Sequence, residues 1–171
     1  MIKAYVKSDI GKVREINQDS FYVSNSLDEV QVYMLADGMG GYKGGEIASR
    51  LAIQSAKNYI ENNFKEIEKD KDSIIQLVGS SMEYANMVVY EKSKESKELA
   101  GMGTTLDICL IYNNRVFIGH VGDSRVYRIR KEFMRKLTQD HSYVQKLVKE
   151  GTITKEEAAH HPQKNMLMKA L

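Results

Sequence analysis

The 171-residue sequence has a single cysteine, Cys109. An intrachain disulfide is therefore impossible, and this usage is typical of a reducing compartment, so we expect a cytoplasmic protein. Cys109 lies in the apolar run Leu-Asp-Ile-Cys-Leu-Ile, which resembles a strand. We expect a buried thiol there, because an apolar environment does not activate a cysteine as a nucleophile.

The sequence also lacks a strong excess of charge. Lys and Arg number 25, and Asp and Glu number 23, which gives a formal net charge of +2. Affinity for nucleic acid or anionic membranes usually accompanies a basic bias, so we expect neither partner. No apolar stretch approaches the length of a membrane span, and residues 1–9 carry charges where a signal peptide has its apolar core.

The composition, 42% hydrophobic and 28% charged, suits one soluble globular domain over residues 1–171. Residues 2–7 and 19–24 predict short strands, and residues 30–36 predict a buried strand. The next segment, 37–45, contains five glycines in nine residues. We expect no regular element there, because each glycine costs backbone entropy.

Helical periodicity begins at Glu46. Apolar residues recur at helical spacing as far as Ile60, and the same pattern covers residues 73–90. Each predicted helix has one apolar face, which must pack against a neighbouring element. The strands on either side are the obvious candidates.

The second half of the sequence predicts three strands, over residues 105–112, 115–121 and 124–130. Asn113 and Asn114 predict a two-residue hairpin between the first two, since asparagine tolerates left-handed backbone angles. Gly122 and Asp123 predict a similarly tight connection to the third.

Two helices are predicted near the end, over residues 141–150 and 154–160, with Gly151 as a C-terminal cap between them. The order of elements indicates a mixed α+β fold, with helices packed on sheets. Residues 165–171 are apolar and end without a cap or a polar tail, which leads us to expect a truncated domain.

A carboxylate at the end of a buried strand is a favourable position for a hard cation. Asp37 follows the predicted strand 30–36, and the adjacent Gly38 lets its backbone carbonyl turn toward an ion. Mg²⁺ and Mn²⁺ prefer oxygen ligands of this kind. Taken alone, however, an Asp-Gly pair is most often only a turn.

Three other residues are weaker candidates by themselves. Asp19 is a single carboxylate, and Asp123 lies in a Gly-Asp-Ser turn where aspartate is common. Arg14 lies in a polar loop. It is either a solvated surface residue or a planar fork that holds two phosphate oxygens.

These candidates belong to an ordered series of short motifs. In chain order the motifs are Gly11-x-x-Arg14-x-x-Asn17-Gln18-Asp19, Asp37-Gly38-Met39-Gly40-Gly41, Gly101-x-Gly103-Thr104-Thr105, Gly122-Asp123-Ser124-Arg125, Leu137-Thr138-Gln139-Asp140-His141-Ser142 and Glu157-Ala158-Ala159-His160-His161-Pro162. Their order and spacing resemble those of bacterial metal-dependent protein phosphatases of the PPM (protein phosphatase 2C) family. The resemblance extends from about residue 5 to the last residue.

The resemblance implies a β-sandwich of two antiparallel sheets flanked by helix pairs. It also implies hydrolysis of phosphoserine and phosphothreonine in proteins, with two Mn²⁺ or Mg²⁺ ions and a third, weaker ion in bacterial members. A metal-activated water performs such hydrolysis, so no protein nucleophile is required. The implied partners are phosphoproteins, the substrates of a bacterial Ser/Thr kinase, and the implied state is a monomer.

The resemblance assigns a role to each candidate residue. Asp37 would bridge the two metals, and the carbonyl of Gly38 would bind one of them. Asp19 would hold metal-bound water, and Asp123 would match the aspartate of the third metal. Arg14 would clamp the substrate phosphate.

Two departures from the family pattern matter. Eukaryotic members often carry a histidine near the metals as general acid, whereas Met39 beside the metal motif cannot donate a proton. That role would fall to metal-bound water. The family also places two further metal-binding aspartates in its C-terminal third, beyond the position of Leu171, so we expect this chain to be poorly active.

Two alternative functions come from different classes. A histidine-kinase-type ATPase uses a glycine-rich Asp motif, but it needs glycine two residues after the aspartate, where this sequence has Met39. It also needs an upstream helix with an asparagine, and none fits. The other alternative is a phosphatase-like module that binds phosphoproteins without turnover.

Overall fold

The computed structural model describes residues 2–25, 28–40 and 44–171. This part of the chain contains seven strands: β1 (Asp19–Val23), β2 (Gln31–Met39), β3 (Gly103–Thr104), β4 (Leu106–Tyr112), β5 (Arg115–Val121), β6 (Tyr127–Arg130) and β7 (Phe133–Lys136). It also contains four helices: α1 (Gly44–Asn63), α2 (Lys71–Ser93), α3 (Tyr143–Lys149) and α4 (Lys155–His160). The predicted mixed α+β fold is confirmed.

Five strands form one antiparallel sheet in the order β1-β2-β4-β5, with β3 also paired to β2. The register places Asp19 opposite Asp37, and Leu35 opposite Asp107, which in turn lies opposite His120. Because side chains alternate between the two faces of a strand, these five side chains share one face of the sheet. Both acidic candidates of the first motifs therefore lie on the same surface.

The opposite face of the sheet is covered by α1 and α2. Burial alternates along β2. Val32, Met34 and Ala36 are buried on this side, whereas Leu35 and Asp37 are exposed on the other. The largest fully buried side chains are Ile60, Ile74, Leu106, Ile108 and Leu110. Burial of each aliphatic side chain of this size contributes about 1.5–3 kcal/mol to the stability of the folded state. This layer therefore holds the strands that carry the site in place.

The strand predicted over residues 2–7 is wrong. Residues 2–10 form no regular element, and Tyr5 is 89% exposed. A strand needs a neighbour for its backbone groups, and within the described residues no strand pairs with this segment. Residues 4–7 instead line a groove on the exposed face of the sheet, together with Phe21 and Tyr127.

The expectation of no regular element over residues 37–45 is also wrong in the described part of that segment. Asp37, Gly38 and Met39 continue β2, because β1 and β3 pair with them on either side. Gly44 and Gly45 begin α1. Ladder hydrogen bonds and helix formation therefore outweigh the backbone entropy of glycine, while residues 41–43 lie outside the described residues.

The hairpin between β4 and β5 is confirmed. Asn113 and Asn114 have φ angles of 46° and 60°, the left-handed values that a two-residue turn requires. The tight connection predicted at Gly122 and Asp123 is wrong as a hairpin, because β6 pairs with β7 and not with β5. Strand β7 was missed by the sequence analysis, and the prediction of residues 124–130 as one strand is confirmed only over β6.

The two C-terminal helices begin at side-chain caps. Ser142 accepts a hydrogen bond from the backbone N–H of Gln145 at the start of α3, and Thr154 forms a capping box with Glu157 at the start of α4. Gly151, with φ of 73°, ends α3 as predicted. The chain then returns to the sheet, where Leu171 exchanges two backbone hydrogen bonds with Thr104.

Candidate metal centre

Asp19 and Asp37 form the nucleus of the candidate site. They are directly opposite in the β1–β2 ladder, and cross-strand neighbours have Cβ atoms about 4.5–5.5 Å apart. Asp37 is open to solvent on one side, yet partial burial raises the pKa of its carboxyl group, and the negative charges of Asp19 and Asp123 raise it further. Clustered carboxylates of this kind are stabilised by a bound cation.

Arg14 lies within electrostatic range of this cluster, because its positive charge lowers the pKa of Asp37 against the other effects. It is exposed in the loop before β1. Short polar contacts shape that loop: the amide of Asn17 donates to the Ser8 hydroxyl at 2.7 Å, and its side-chain oxygen accepts from the backbone N–H of Asp19 at 3.0 Å. The first motif thus contributes a positive charge that acts on Asp37.

Gly38 lies where the backbone approaches two other segments. Its N–H donates to the carbonyl of Gln18 at 3.1 Å. A Cβ atom at this position would collide with the carbonyl of Gly45 and would lie 2.8 Å from the carbonyl of Gln18. Only glycine allows β2, the end of the Arg14 loop and the start of α1 to meet here.

Two threonines of the third motif anchor Asp37, a role that sequence reasoning missed. The N–H of Asp37 donates to Oγ1 of Thr105 at 2.9 Å, and the carbonyl of Asp37 accepts from the backbone N–H of Thr105 at 2.9 Å and from Oγ1 of Thr104 at 3.0 Å. Both threonines are buried. Two adjacent hydroxyl residues in an apolar strand were the available signal, since buried hydroxyls require hydrogen-bond partners.

Asp123 lies in the segment between β5 and β6, and its negative charge reaches Asp37. The neighbouring Ser124 is linked to the first cluster, because its hydroxyl lies 2.8 Å from Oγ1 of Thr105. A continuous set of hydrogen bonds therefore connects the backbone of Asp37 to the segment of Asp123. The charges of Asp19, Asp123 and Arg14 thus all act on the carboxyl group of Asp37.

Arg125 and Asp140 form an ion pair that sequence reasoning also missed. Nε of Arg125 donates to both oxygens of Asp140 at 3.1 and 3.2 Å, and Nη2 donates at 2.7 Å, while Lys136 contacts the same carboxylate at 2.6 Å. Burial alone would raise the pKa of Asp140, but the two cations outweigh it and lower the pKa. Asp140 is thus held ionised as a structural counter-charge.

The donor atoms at the site are of the kind that a hard cation prefers, but they are too few to complete its coordination. Within the described ranges, no three acidic, histidine or cysteine side chains converge closely enough to hold an ion alone. Asp19, Asp37 and the backbone of Gly38 offer oxygen atoms only, the donors that Mg²⁺ and Mn²⁺ prefer. Waters would have to complete the coordination, as they usually do around Mg²⁺.

Comparison with known proteins identifies the family. Residues 12–169 match the family model described as protein phosphatase 2C. The chain belongs to the protein phosphatase 2C family. This assignment confirms the resemblance drawn from the motifs and leaves no support for the ATPase alternative.

Two bacterial relatives illustrate the similarity. The serine/threonine phosphatase stp of Listeria innocua is 36% identical over 173 residues, covering 98% of this chain and 66% of its own length. The serine/threonine protein phosphatase PstP of Mycobacterium tuberculosis is 37% identical over 171 residues, covering 100% of this chain and 31% of its own length. The chain thus spans 66% of the length of the Listeria relative.

Solved structures of the family share the fold. The crystal structure of the Mycobacterium tuberculosis phosphatase superposes with a TM-score of 0.82 at 37% identity, covering 96% of this chain and 66% of that one. A serine/threonine phosphatase of Staphylococcus aureus gives a TM-score of 0.85 at 35% identity, covering 95% and 63%. A structure of the catalytic domain of PstP with two manganese ions gives a TM-score of 0.78 at 34% identity, with 96% and 64% covered.

Proposed function

We propose that this protein hydrolyses phosphoserine and phosphothreonine in proteins, with Mn²⁺ or Mg²⁺ as cofactor. The observation that carries the proposal is the pairing of Asp19 with Asp37 on one face of the sheet, with Arg14 in electrostatic range, in a chain of the protein phosphatase 2C family. The names of its relatives and the manganese in one PstP structure support it.

The chain's own residues would divide the work. Asp37 would bridge two cations, the carbonyl of Gly38 would bind one of them, and Asp19 would hold metal-bound water. Asp123 would serve a third, weaker cation. When bound, the cations supply an acidified water and polarise the phosphoryl oxygens.

Arg14 would bind and orient the phosphate group. Its guanidinium can donate two parallel hydrogen bonds to phosphate oxygens, which fixes the direction of the P–O bond to be broken. Thr104 and Thr105 bond to the backbone carbonyl and N–H of Asp37, so they would fix the position of its backbone in the strand. Cys109 is half-buried and not fully buried as expected, yet this burial raises the pKa of its thiol to about 11, so we assign it no part in the reaction.

The physiological setting is part of the proposal. The partners would be phosphoproteins modified by a bacterial Ser/Thr kinase, and the protein would act as a cytoplasmic monomer. Among the described residues no helix has both the length and the apolar character needed to cross a membrane. The near balance of charge supports neither nucleic acid nor membrane as a partner.

The test is metal-dependent turnover by the complete product of the gene that encodes this chain. Hydrolysis of a phosphothreonine peptide and of p-nitrophenyl phosphate is expected with added Mn²⁺ or Mg²⁺. Excess chelator should abolish it, and restored Mn²⁺ should recover it. Turnover that persists in excess chelator would contradict the metal mechanism, and phosphopeptide binding without turnover would favour the non-catalytic module instead.

A further inference from the structure

A second polar cluster lies on the same face of the sheet, away from Asp19 and Asp37. Oδ1 of Asp107 lies 2.6 Å from Nδ1 of His120, its cross-strand neighbour. Both side chains are nearly buried, with 7% and 10% of their surfaces exposed. A buried carboxyl group paired in this way is strongly constrained, because leaving it without a partner would be costly.

The ring of His120 is held at both nitrogens. Its Nε2 lies 2.9 Å from the carbonyl oxygen of Gln139. A carbonyl oxygen can only accept, so Nε2 carries a hydrogen atom and donates it. Because one nitrogen faces Asp107 and the other faces Gln139, the plane and position of the imidazole are fixed.

His141 packs on this fixed ring. The two ring centroids are 4.9 Å apart, with an angle of 31° between the planes. Nδ1 of His141 accepts a hydrogen bond from the backbone N–H of Gly122 at 3.2 Å, and the backbone N–H of His141 donates to the carbonyl of Gly122 at 2.7 Å. Burial, and then the charge of His120, lower the pKa of His141, which agrees with an unprotonated Nδ1.

The Gly122–Asp123 segment is held from the other side as well. A Cβ atom at Gly122 would lie 2.6 Å from Cβ of Thr105, and the φ angle of Gly122 is 109°, so this glycine packs in a conformation that other residues rarely adopt. The hydroxyl of the following Ser124 bonds to Thr105. Gly122 is therefore held through its backbone and Ser124 through its side chain, on either side of Asp123.

We propose that Asp107, His120 and His141 are positioning residues that fix the Gly122–Asp123 segment and thereby orient the carboxylate of Asp123. The inference rests on the proposed function in one respect, the role of Asp123 as ligand of the weaker cation. His141 acts through the backbone of Gly122. Asp107 and His120 act one step further away, by holding the ring on which His141 packs.

The test compares two replacements of His141 in the ¹⁵N-labelled 171-residue chain. His141→Asn retains a side-chain acceptor near the place of Nδ1, whereas His141→Leu has similar bulk and no acceptor. His160→Leu removes an exposed imidazole from α4 and serves as the matched control. The measurements are the ¹⁵N signals of the imidazole rings, hydrogen exchange at the Gly122 amide, and broadening of the Asp123 amide signal by Mn²⁺ alone.

In the unmodified chain we expect the tautomer of His141 with hydrogen on Nε2, and slow exchange at the Gly122 amide. His141→Leu should speed that exchange. It should also raise about tenfold the Mn²⁺ concentration that half-broadens the Asp123 signal, because loss of a residue that orients a metal ligand weakens metal affinity by at least about that factor. His141→Asn and His160→Leu should remain close to the unmodified chain. Equal effects of Asn and Leu, or no effect of Leu, would overturn the proposal.

A second pair of variants tests the outer step. Asp107→Asn keeps a polar partner for Nδ1 of His120, whereas Asp107→Leu removes it while keeping similar bulk. Only Asp107→Leu should shift the ring signals of His141 and weaken the Mn²⁺ effect at Asp123. Unchanged His141 signals in Asp107→Leu would remove Asp107 and His120 from the proposal.

Failure here is distinguishable from failure of the proposed function. Absence of any Mn²⁺ effect at Asp123 in the unmodified chain would overturn the positioning role, while chelator-sensitive hydrolysis by the complete gene product would still stand. Conversely, chelator-insensitive hydrolysis would overturn the metal mechanism without altering the exchange rate at Gly122.

Discussion

Asp19 lies directly opposite Asp37 across the β1–β2 ladder, so two carboxylates of like charge share one face of the sheet. Partial burial raises the pKa of Asp37, and the negative charges of Asp19 and Asp123 raise it further. Such an arrangement is unfavourable unless a cation is attracted to it. The site is therefore arranged for binding at the expense of local stability.

Replacement of Asp37 by Asn should remove most of the metal-dependent phosphatase activity of the complete gene product. The amide retains the shape of the side chain but loses the charge that two cations would share. We expect a loss of about a hundredfold or more, the scale seen when a key electrostatic contact to a transition state is removed. Glu132→Gln, which removes an exposed negative charge between β6 and β7, should leave the rate unchanged. Near-normal rates in Asp37→Asn would disprove the central assignment.

Replacement of Arg14 by Ala should weaken binding of phosphate and leave the metals bound. Loss of a charge-assisted hydrogen bond costs about 1.5–3 kcal/mol, which corresponds to about a tenfold to hundredfold rise in the inhibition constant of inorganic phosphate. The exposed Arg128 on β6 provides the control, as Arg128→Ala. If phosphate inhibits Arg14→Ala and the unmodified protein equally, Arg14 is only a surface residue.

Two glycine-to-alanine replacements should change stability in opposite directions. Gly38→Ala introduces a Cβ that collides with the carbonyl of Gly45, so we expect destabilisation and loss of Mn²⁺ binding.

Gly79 lies within α2, where an added Cβ meets nothing within 4 Å. Gly79→Ala should therefore raise the free energy of unfolding by about 0.5–1 kcal/mol, the difference in helix propensity. Urea denaturation of both variants tests this, and a neutral Gly38→Ala would show that the close approach does not matter.

Cys109 should react slowly with iodoacetamide. Burial, followed by the charge of Asp107, raises the pKa of its thiol to about 11, so only about one thiol in a thousand is ionised at pH 8. Because the folded pKa is raised, the reactive thiolate appears only as the pH rises toward that value. Mass spectrometry across pH 7–10 should show modification accelerating with pH, and phosphatase activity should survive treatment at pH 8. Rapid loss of activity at that pH would contradict the exclusion of Cys109.

The 171-residue chain should bind Mn²⁺ weakly, with a dissociation constant on the order of millimolar. It should show negligible turnover, because within the described residues no three ligating side chains converge. Two neighbouring divalent ions repel each other, and the two paired carboxylates offset only part of that repulsion. Calorimetric titration and an activity assay on the same sample test both statements. Tight binding of two ions would mean that another carboxylate, Asp123 first, completes the centre.

The helices and the central strands could be predicted because their apolar residues recur with the period of the element that buries them. Asn113 and Asn114 similarly predicted their turn from their own backbone preferences. Residues 2–7 look like a strand by composition, but strand formation depends on a partner, and composition carries no information about one. The extension of β2 through Gly38 was missed for the complementary reason, since partners on both sides override a poor local propensity.

The candidate site, too, could be predicted only in part from the sequence. Asp19, Asp37, Arg14 and Asp123 stand in short motifs and could be singled out one by one, and their resemblance to a family predicted that they would meet. The contacts of Thr105 with Asp37, and of His141 with Gly122, join residues 68 and 19 positions apart. Hydrogen bonds over such separations depend on the register of strands and the path of loops, which no local pattern specifies.

Side chains along β2 alternate between the hydrophobic core and the face that carries the candidate metal site. One register therefore determines both. Val32, Met34 and Ala36 point into the helical layer, and Leu35 and Asp37 point away from it. Deletion of one residue between Gln31 and Ala36 would reverse that phase, turning the acidic side chain toward the helices and an apolar one toward solvent. Single-residue deletion scanning of this strand should thus eliminate solubility and cation binding in the same clones. A change of length in this strand would thus affect the core and the site together, whereas a substitution can alter one of them alone.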